Sequence, residues 1–268
     1  MLKFISFGSG SSGNCYYLFS ETEGLLIDVG VGIRTLRKQF NDYGLDFSNG
    51  IKGVLVTHDH ADHIKSVGSF SKRYNCPVYT TCLVHTGMDK NYCMRNKLAV
   101  ANRKYMQKGT TYSIGGFSVT PFNVPHDSMD NNGYFVEYEG VTFGLLTDVG
   151  HITDEMKTII NKVNYLVIEA NYDKEMLANG PYPLHLQERI SSGNGHLSNM
   201  QCAQAIAQYH SDALKHVWLC HLSEENNRPD VALACVRDIL MQSGIRVGEQ
   251  LKLDVLRRKM PTGIFNLE

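Results

Sequence analysis

Thr57-His58-Asp59-His60-Ala61-Asp62-His63 gathers three imidazoles and two carboxylates into consecutive positions. Each can lend a lone pair to a metal ion, and eleven histidines spread over 268 residues rarely fall so close together by chance. In extended or turn geometry His58 and His60 leave one face. Asp62 and His63 come round the bend toward a second centre roughly 3.5 Å away, the usual spacing of a two-metal site. Such a pair of ions activates water for hydrolysis near neutral pH. Asp59, between two of the donors, is placed to accept a proton from that water. Nitrogen and carboxylate oxygen without thiolate suit Zn2+ and Mn2+ alike.

The elements that must position these groups are legible around them. Gly53-Val54-Leu55-Val56 is a short apolar run that reads as a buried strand feeding the metal turn. Gly24 to Ile27 is another strand, ended by Asp28. An amphipathic helix is expected over residues 33–43, and a second over 64–74 with its N-terminus aimed back at the turn. Residues 117–124 and 134–148 read as a strand meander broken at Asn131-Asn132-Gly133 and Glu139-Gly140. A helix follows from Thr153-Asp154-Glu155, then the strand Tyr165 to Ile168 delivering Glu169, and a helix over 200–209 capped by Ser198 or Asn199. The stretch Gly8-Ser9-Gly10-Ser11-Ser12-Gly13 spells a dinucleotide fingerprint. Residues 14–19 beyond it are strand-like, so no helix N-terminus meets a pyrophosphate, and a hairpin connection near the metal edge is the better reading.

Composition narrows the class. With 43% hydrophobic residues the chain can bury a large core, and residues 1–268 are expected to form a single domain. A net charge of −1 excludes an overall basic coat, so nucleic-acid binding must come from a local patch. Seven cysteines, an odd number with no Cys-x-x-Cys pair, point to reduced thiols and a cytoplasmic protein. No apolar run is long enough to span a membrane, and no secretory signal opens the chain. Residues 86–109 hold six cations, including Lys90, Arg95 and Lys97, against the single acid Asp89, with Tyr92 and Tyr105 interleaved. Beside a hydrolytic site this strip suits a phosphodiester backbone and its bases; a merely solvated helical face is the other reading. His185 and Arg189, on one helical face, are further candidates for a phosphate contact.

The His-x-His-x-Asp-His pattern after an apolar strand resembles the metallo-β-lactamase superfamily, and the resemblance extends over nearly the whole chain. It implies an α/β (α+β) fold, a four-layer αββα sandwich with a dinuclear site at one edge. It also implies the remaining ligands: His126, Asp148 and His221, each following an apolar run. His58, His60 and His126 would then hold one ion and Asp62, His63 and His221 the other, with Asp148 shared, while Asp28 props the metal loop from behind.

Other motifs sharpen the likeness. A strand-end Glu, the turn Gly195-His196-Leu197-Ser198 before a helix, and His221-Leu222-Ser223 resemble the nuclease branch that includes the tRNA 3′-processing endonucleases. That likeness gives Glu169 the role of orienting His196, and His196 that of protonating the leaving oxygen. Residues 9–14, 169–173, 195–199 and 221–227 together are similar to the YycJ (VicX) family, which implies a 5′-to-3′ exonuclease acting on duplex DNA with two divalent ions, Zn2+ or Mn2+. No tRNA-clamping arm is visible, and the short stretch between Asp148 and His221 leaves no room for the large inserted domain of the RNA exonuclease branch. A small-molecule ester, thioester or lactone hydrolase shares every ligand. Only the Glu169/His196 pair and the basic strip discriminate against it.

Overall fold

Alternation along the apolar runs decides the layering. In Leu25-Leu26-Ile27 the outer two side chains join a cluster with Phe4, Tyr134 and Trp218, while Leu26 joins another with Phe40 and Phe70. Likewise Val167 and Trp218 face one way, Leu166 and Leu219 the other. Strands apolar on both faces must be covered on both faces, which requires helices outside a pair of packed sheets.

The computed structural model describes residues 1–47 and 50–268 and has that architecture. The first sheet has the order β14 (Phe265–Leu267), β1 (Leu2–Gly8), β2 (Cys15–Phe19), β3 (Gly24–Ile27), β4 (Ile51–Leu55), β5 (Val78–Thr80), β6 (Arg103–Tyr105). The second runs β13 (Lys252–Val255), β12 (His216–Cys220), β11 (Tyr165–Glu169), β10 (Val141–Leu146), β9 (Asn132–Tyr138), β8 (Phe117–Asn123), β7 (Tyr112–Ile114). Pairing is parallel from β3 to β6 and from β10 to β13, and antiparallel in the rest of each sheet. Trp218 is fully buried between the sheets, 4.8 Å from the Phe4 ring centroid.

Helices α1 (Ile33–Asp42), α3 (Val67–Tyr74) and α4 (Cys82–Lys90) bury Leu36, Phe40, Phe70 and Val84 against the first sheet. On the second sheet α5 (Asp154–Lys162), α8 (Asn199–Tyr209) and α9 (Pro229–Gln242) bury Met156, Ile160, Ile206 and Val236. Thr153 caps α5 and Ser198 closes a capping box with Gln201 on α8, so both expected starts hold. All seven cysteines are free, and among the described residues no helix is long and apolar enough to cross a membrane.

Two expectations are corrected, and four short strands were not foreseen. The helix foreseen over 64–74 is two: α2 (Ala61–Ile64), which itself carries Asp62 and His63, and then α3. The break has a cause, because Val29 N–H donates to His63 O and Ser66 N–H to Val29 O, both at 2.9 Å, which pulls the chain onto the β3–α1 connection. Asn131-Asn132-Gly133 is not a turn: β9 starts at Asn132, whose amide donates to Thr57 O at 3.0 Å, and a Cβ on Gly133 would stand 2.2 Å from the Phe122 ring. The short edge strands β6, β7, β13 and β14 carry little apolar pattern and escaped the sequence reading.

Candidate active site

The parallel strands deliver the chemistry at their C-terminal ends. Just beyond β3, β10 and β12 stand Asp28, Asp148 and His221, with φ of 59°, 55° and 53°. Left-handed backbone at a residue other than glycine costs about 1–3 kcal/mol, and such strain persists where the surroundings dictate the direction of the side chain. His58 follows β4, and Glu169 ends β11. Ligating atoms of His58, His60 and His126 lie within 4.8 Å of one another, as do those of Asp62, His63 and His221, and those of His58, His63 and Asp148. The seven residues expected as ligands are therefore brought together at one edge of the sandwich, His58 and His63 fully buried.

Hydrogen bonds on the far side of four of the five rings fix which nitrogen is free. His63 Nδ1 meets Asp28 Oδ2 at 2.7 Å, and His126 Nδ1 meets the Gly195 carbonyl at 2.9 Å. His58 Nδ1 lies 3.0 Å from Thr57 Oγ1, whose hydroxyl donates to Asp28 Oδ2 at 2.8 Å. His221 Nδ1 lies 3.0 Å from Glu169 Oε1. An acceptor at Nδ1 leaves the Nε2 lone pair pointing inward, the arrangement of metal-binding histidines. Among the described residues the buried Nε2 atoms of His58 and His126 have no hydrogen-bond partner. Buried polar atoms normally have one, so orphaned inward nitrogens beside carboxylates fit a divalent cation.

Charge is balanced among the donors. Burial pushes the Asp62 carboxyl up, but the His63 and His221 imidazoles bring it down to about 2. Burial, then its neighbour His63, holds His58 well below the ordinary imidazole value, which keeps it neutral as a ligand must be. For His196 burial works downward, yet Glu169, whose Oε1 is 2.8 Å from Nδ1, raises its pKa above the ordinary value.

A cavity of about 340 Å3 opens over the cluster, lined by Ser11, His60, Asp148, His196, His221 and Arg189 among others. Arg189 sits on α7 (Leu184–Ser191), held at the rim by Asp127 Oδ2, 2.5 Å from its Nε. The other expected substrate residues divide. Arg95 lines an adjoining cavity. Lys90 and His185 are exposed and line neither, and Lys97 is engaged, its Nζ donating to Met88 O at 3.0 Å and Asn91 O at 2.7 Å. Asp59 stands apart from the donors: its carboxylate accepts from Met129 N–H at 3.4 Å and packs where a Cβ on Gly87 would be 2.2 Å away.

Residues that carry the family resemblance but were given no site role complete the frame. The amide nitrogen of Asn14, from the glycine-rich hairpin, is 3.2 Å from Asp62 Oδ2 and 2.9 Å from His63 Nε2. Ser9 Oγ accepts from His221 N–H at 2.9 Å, and Asn171 donates to His221 O at 2.8 Å. Their signal was positional: Ser9 and Asn14 flank the very hairpin expected near the metal edge.

Paired mixed sheets, helices on both outer faces and a histidine–aspartate cluster at the shared edge define a metallo-β-lactamase-type fold. The chain belongs to the β-lactamase superfamily, whose domain model, described as "Beta-lactamase superfamily domain", matches residues 24–221. Over 263 residues it is 34% identical to a Bacillus anthracis protein named Exodeoxyribonuclease YycJ, covering 98% of each chain. It is 32% identical over 254 residues to Exodeoxyribonuclease WalJ of Streptococcus pneumoniae, covering 94% of this chain and 93% of that one. The crystal structure of the metallo-β-lactamase fold protein YhfI from Bacillus subtilis superposes with a TM-score of 0.71 at 14% identity, covering 97% of this chain and 98% of that one, a likeness of fold alone.

Proposed function

We propose that this chain is a metal-dependent nuclease, an exonuclease that removes nucleotides from duplex DNA in the 5′-to-3′ direction. The observation that carries the reading is the Glu169–His196 pair, Oε1 to Nδ1 at 2.8 Å, beside the metal-donor cluster and open to the same cavity. An imidazolium there can donate to a departing alkoxide, which a phosphodiester releases. The names of the relatives at 34% and 32% identity support deoxyribonucleic acid as the substrate. Polarity and duplex preference rest on the family resemblance.

In this reading His58, His60 and His126 would hold one ion and Asp62, His63 and His221 the other, with Asp148 a donor available to the site. Bound there, Zn2+ or Mn2+ would supply Lewis acidity toward the phosphate oxygens and acidify water toward neutrality. Asp28 and Gly195 O orient the ligand rings. Arg189 at the rim offers a guanidinium to a neighbouring phosphate, and its pairing with Asp127 keeps it in place. His196 Nδ1 stays bound to Glu169, so its Nε2 proton goes to the leaving 3′ oxygen. Glu169 stabilises the charged ring and, through the same Oε1, orients His221 at 3.0 Å. Asp59 has no reacting group within its contacts, and its role is to seat the turn against α4.

End-labelled duplex DNA incubated with the protein and Mn2+ or Zn2+ tests this. Mononucleotides should appear from the 5′ end, only with metal, and not with His60→Ala. His196→Ala should lower kcat about 10²–10⁴-fold, the usual worth of a general acid. Turnover of thioesters or lactones without nucleotide release would overturn the proposal. A His196→Ala enzyme as fast as the parent would remove the acid from the mechanism.

A further inference from the structure

A second cavity, of about 560 Å3, adjoins the catalytic one and shares Ser11 and Asp62 with it. Its volume is within the range of ligand sites. One wall carries Lys65 and Ser69, from the end of α2 and from α3, and the other carries Tyr92, Arg95 and Asn96, beyond α4. The second wall is pinned. Asn96 Nδ2 donates to Ser69 Oγ at 2.8 Å, Asn91 Nδ2 donates to Asp59 O at 2.7 Å, and Lys97 ties the segment to the end of α4. Gly68 admits this wall, since a Cβ there would stand 1.6 Å from the Asn96 carbonyl.

Of the six cations in residues 86–109, Lys90 and Lys104 are exposed and do not line the groove, and the other four sort by what each does. Arg103 is paired with Asp89, Lys108 with Asp130, and Lys97 with two carbonyls. Those charges are spent inside the fold. Arg95 and, across the groove, Lys65 are exposed, and neither side chain has a hydrogen-bond or ion-pair partner among the described residues. On the same wall as Arg95, Tyr92 leaves 89% of its surface exposed, although its immediate surroundings are ordered by the bonds above. Unspent cations, hydroxyls and a bare aromatic ring in a pinned groove match the requirements of a single strand: phosphates on the cations, a base on the ring.

We propose that this groove seats an unpaired stretch of the substrate strand next to the scissile phosphate, with Lys65 and Arg95 on phosphates and Tyr92 stacked on a base. The inference rests on the nuclease reading and adds to it that the end of a duplex is opened before cleavage, because every base behind the terminal pair of a closed duplex is stacked on both faces and has none free for Tyr92.

Equilibrium binding separates the two. Fluorescein-labelled hexathymidylate is titrated with the full chain in chelator, so that no cleavage occurs, and anisotropy is read across a salt series. Tyr92→Ala should raise Kd about tenfold, the scale of one lost base stack. Lys65→Ala and Arg95→Ala should each raise Kd at low salt and flatten the plot of log Kd against log salt by about 0.7. Lys38→Ala, an exposed cation on α1, is the control expected to behave as the parent. Parent values of Kd and slope in all three groove variants would overturn the groove, as would equal sensitivity to Tyr92→Ala in a duplex with both ends closed by hairpins. Binding that depends on the three residues, in a protein that cleaves no polynucleotide with any metal, would contradict the nuclease reading and leave the groove standing.

Discussion

Asp28 shows what a single side chain contributes here. Its two oxygens take three hydrogen bonds, from Thr57 N–H at 2.8 Å, Thr57 Oγ1 at 2.8 Å and His63 Nδ1 at 2.7 Å, while its own backbone sits at φ 59°. Asparagine tolerates that conformation, so Asp28→Asn removes the charge without disturbing the chain path. The buried imidazole of His63 would then lose both orientation and basicity. Metal affinity, measured by competition with a chromophoric chelator, should fall about 10- to 100-fold; an unchanged affinity would mean that Asp28 serves only the backbone. At this scale the sequence was most informative where ligand chemistry demands particular residue types. The seven donors were named from pattern and resemblance, and they do meet. A run of adjacent donors does not say which way each one faces, and the Asp59 carboxylate lies on the α4 side, against Gly87. Ser9, Asn14 and Asn171 act through hydrogen bonds to the cluster from distant parts of the chain, for which no spacing rule exists.

At the scale of elements, the metal turn is gripped rather than free. Asn14 N–H donates to Asp62 O at 2.7 Å, and Val29 N–H donates to His63 O at 2.9 Å, so loops from β1–β2 and β3–α1 clasp α2 between them. Gly30 makes the clasp possible. A Cβ there would stand 1.6 Å from Asp62 O, a backbone atom that cannot swing aside. Gly30→Ala should therefore cost about 1–3 kcal/mol in thermal or denaturant unfolding, as overpacking does, and weaken metal binding by displacing Asp62. Gly32→Ala, where the nearest atom is Thr35 Oγ1 at 3.9 Å, should do far less. Equal effects of the two substitutions would refute the clasp. Strong periodicity made α1, α5, α8 and the central strands legible. The break between α2 and α3 was hidden because a tertiary bond to Val29 overrides a helical pattern that continues through it.

Across the whole molecule, function depends on two sheets meeting. The first contributes His58, His60, Asp62 and His63 through β4, the turn after it and α2, and the second contributes His126, Asp148 and His221 beyond β8, β10 and β12. Strand β14 pairs with β1, joining the last residues to the first. We propose on these grounds that residues 1–268 act as one domain, in which neither half can bind metal alone. The layered arrangement was readable from the resemblance alone. The groove beside the site was not, because it depends on which cations the fold spends and which it leaves bare. The proposed hydrolysis would require ions held where the two halves converge. The direct measurement is the number of divalent ions retained per chain after loading with Zn2+ or Mn2+ and desalting, in the parent and in Asp148→Ala. Two per chain in the parent, with loss in the variant, is the result expected. A parent chain that retains none, or an Asp148→Ala chain that retains as many as the parent, would contradict it.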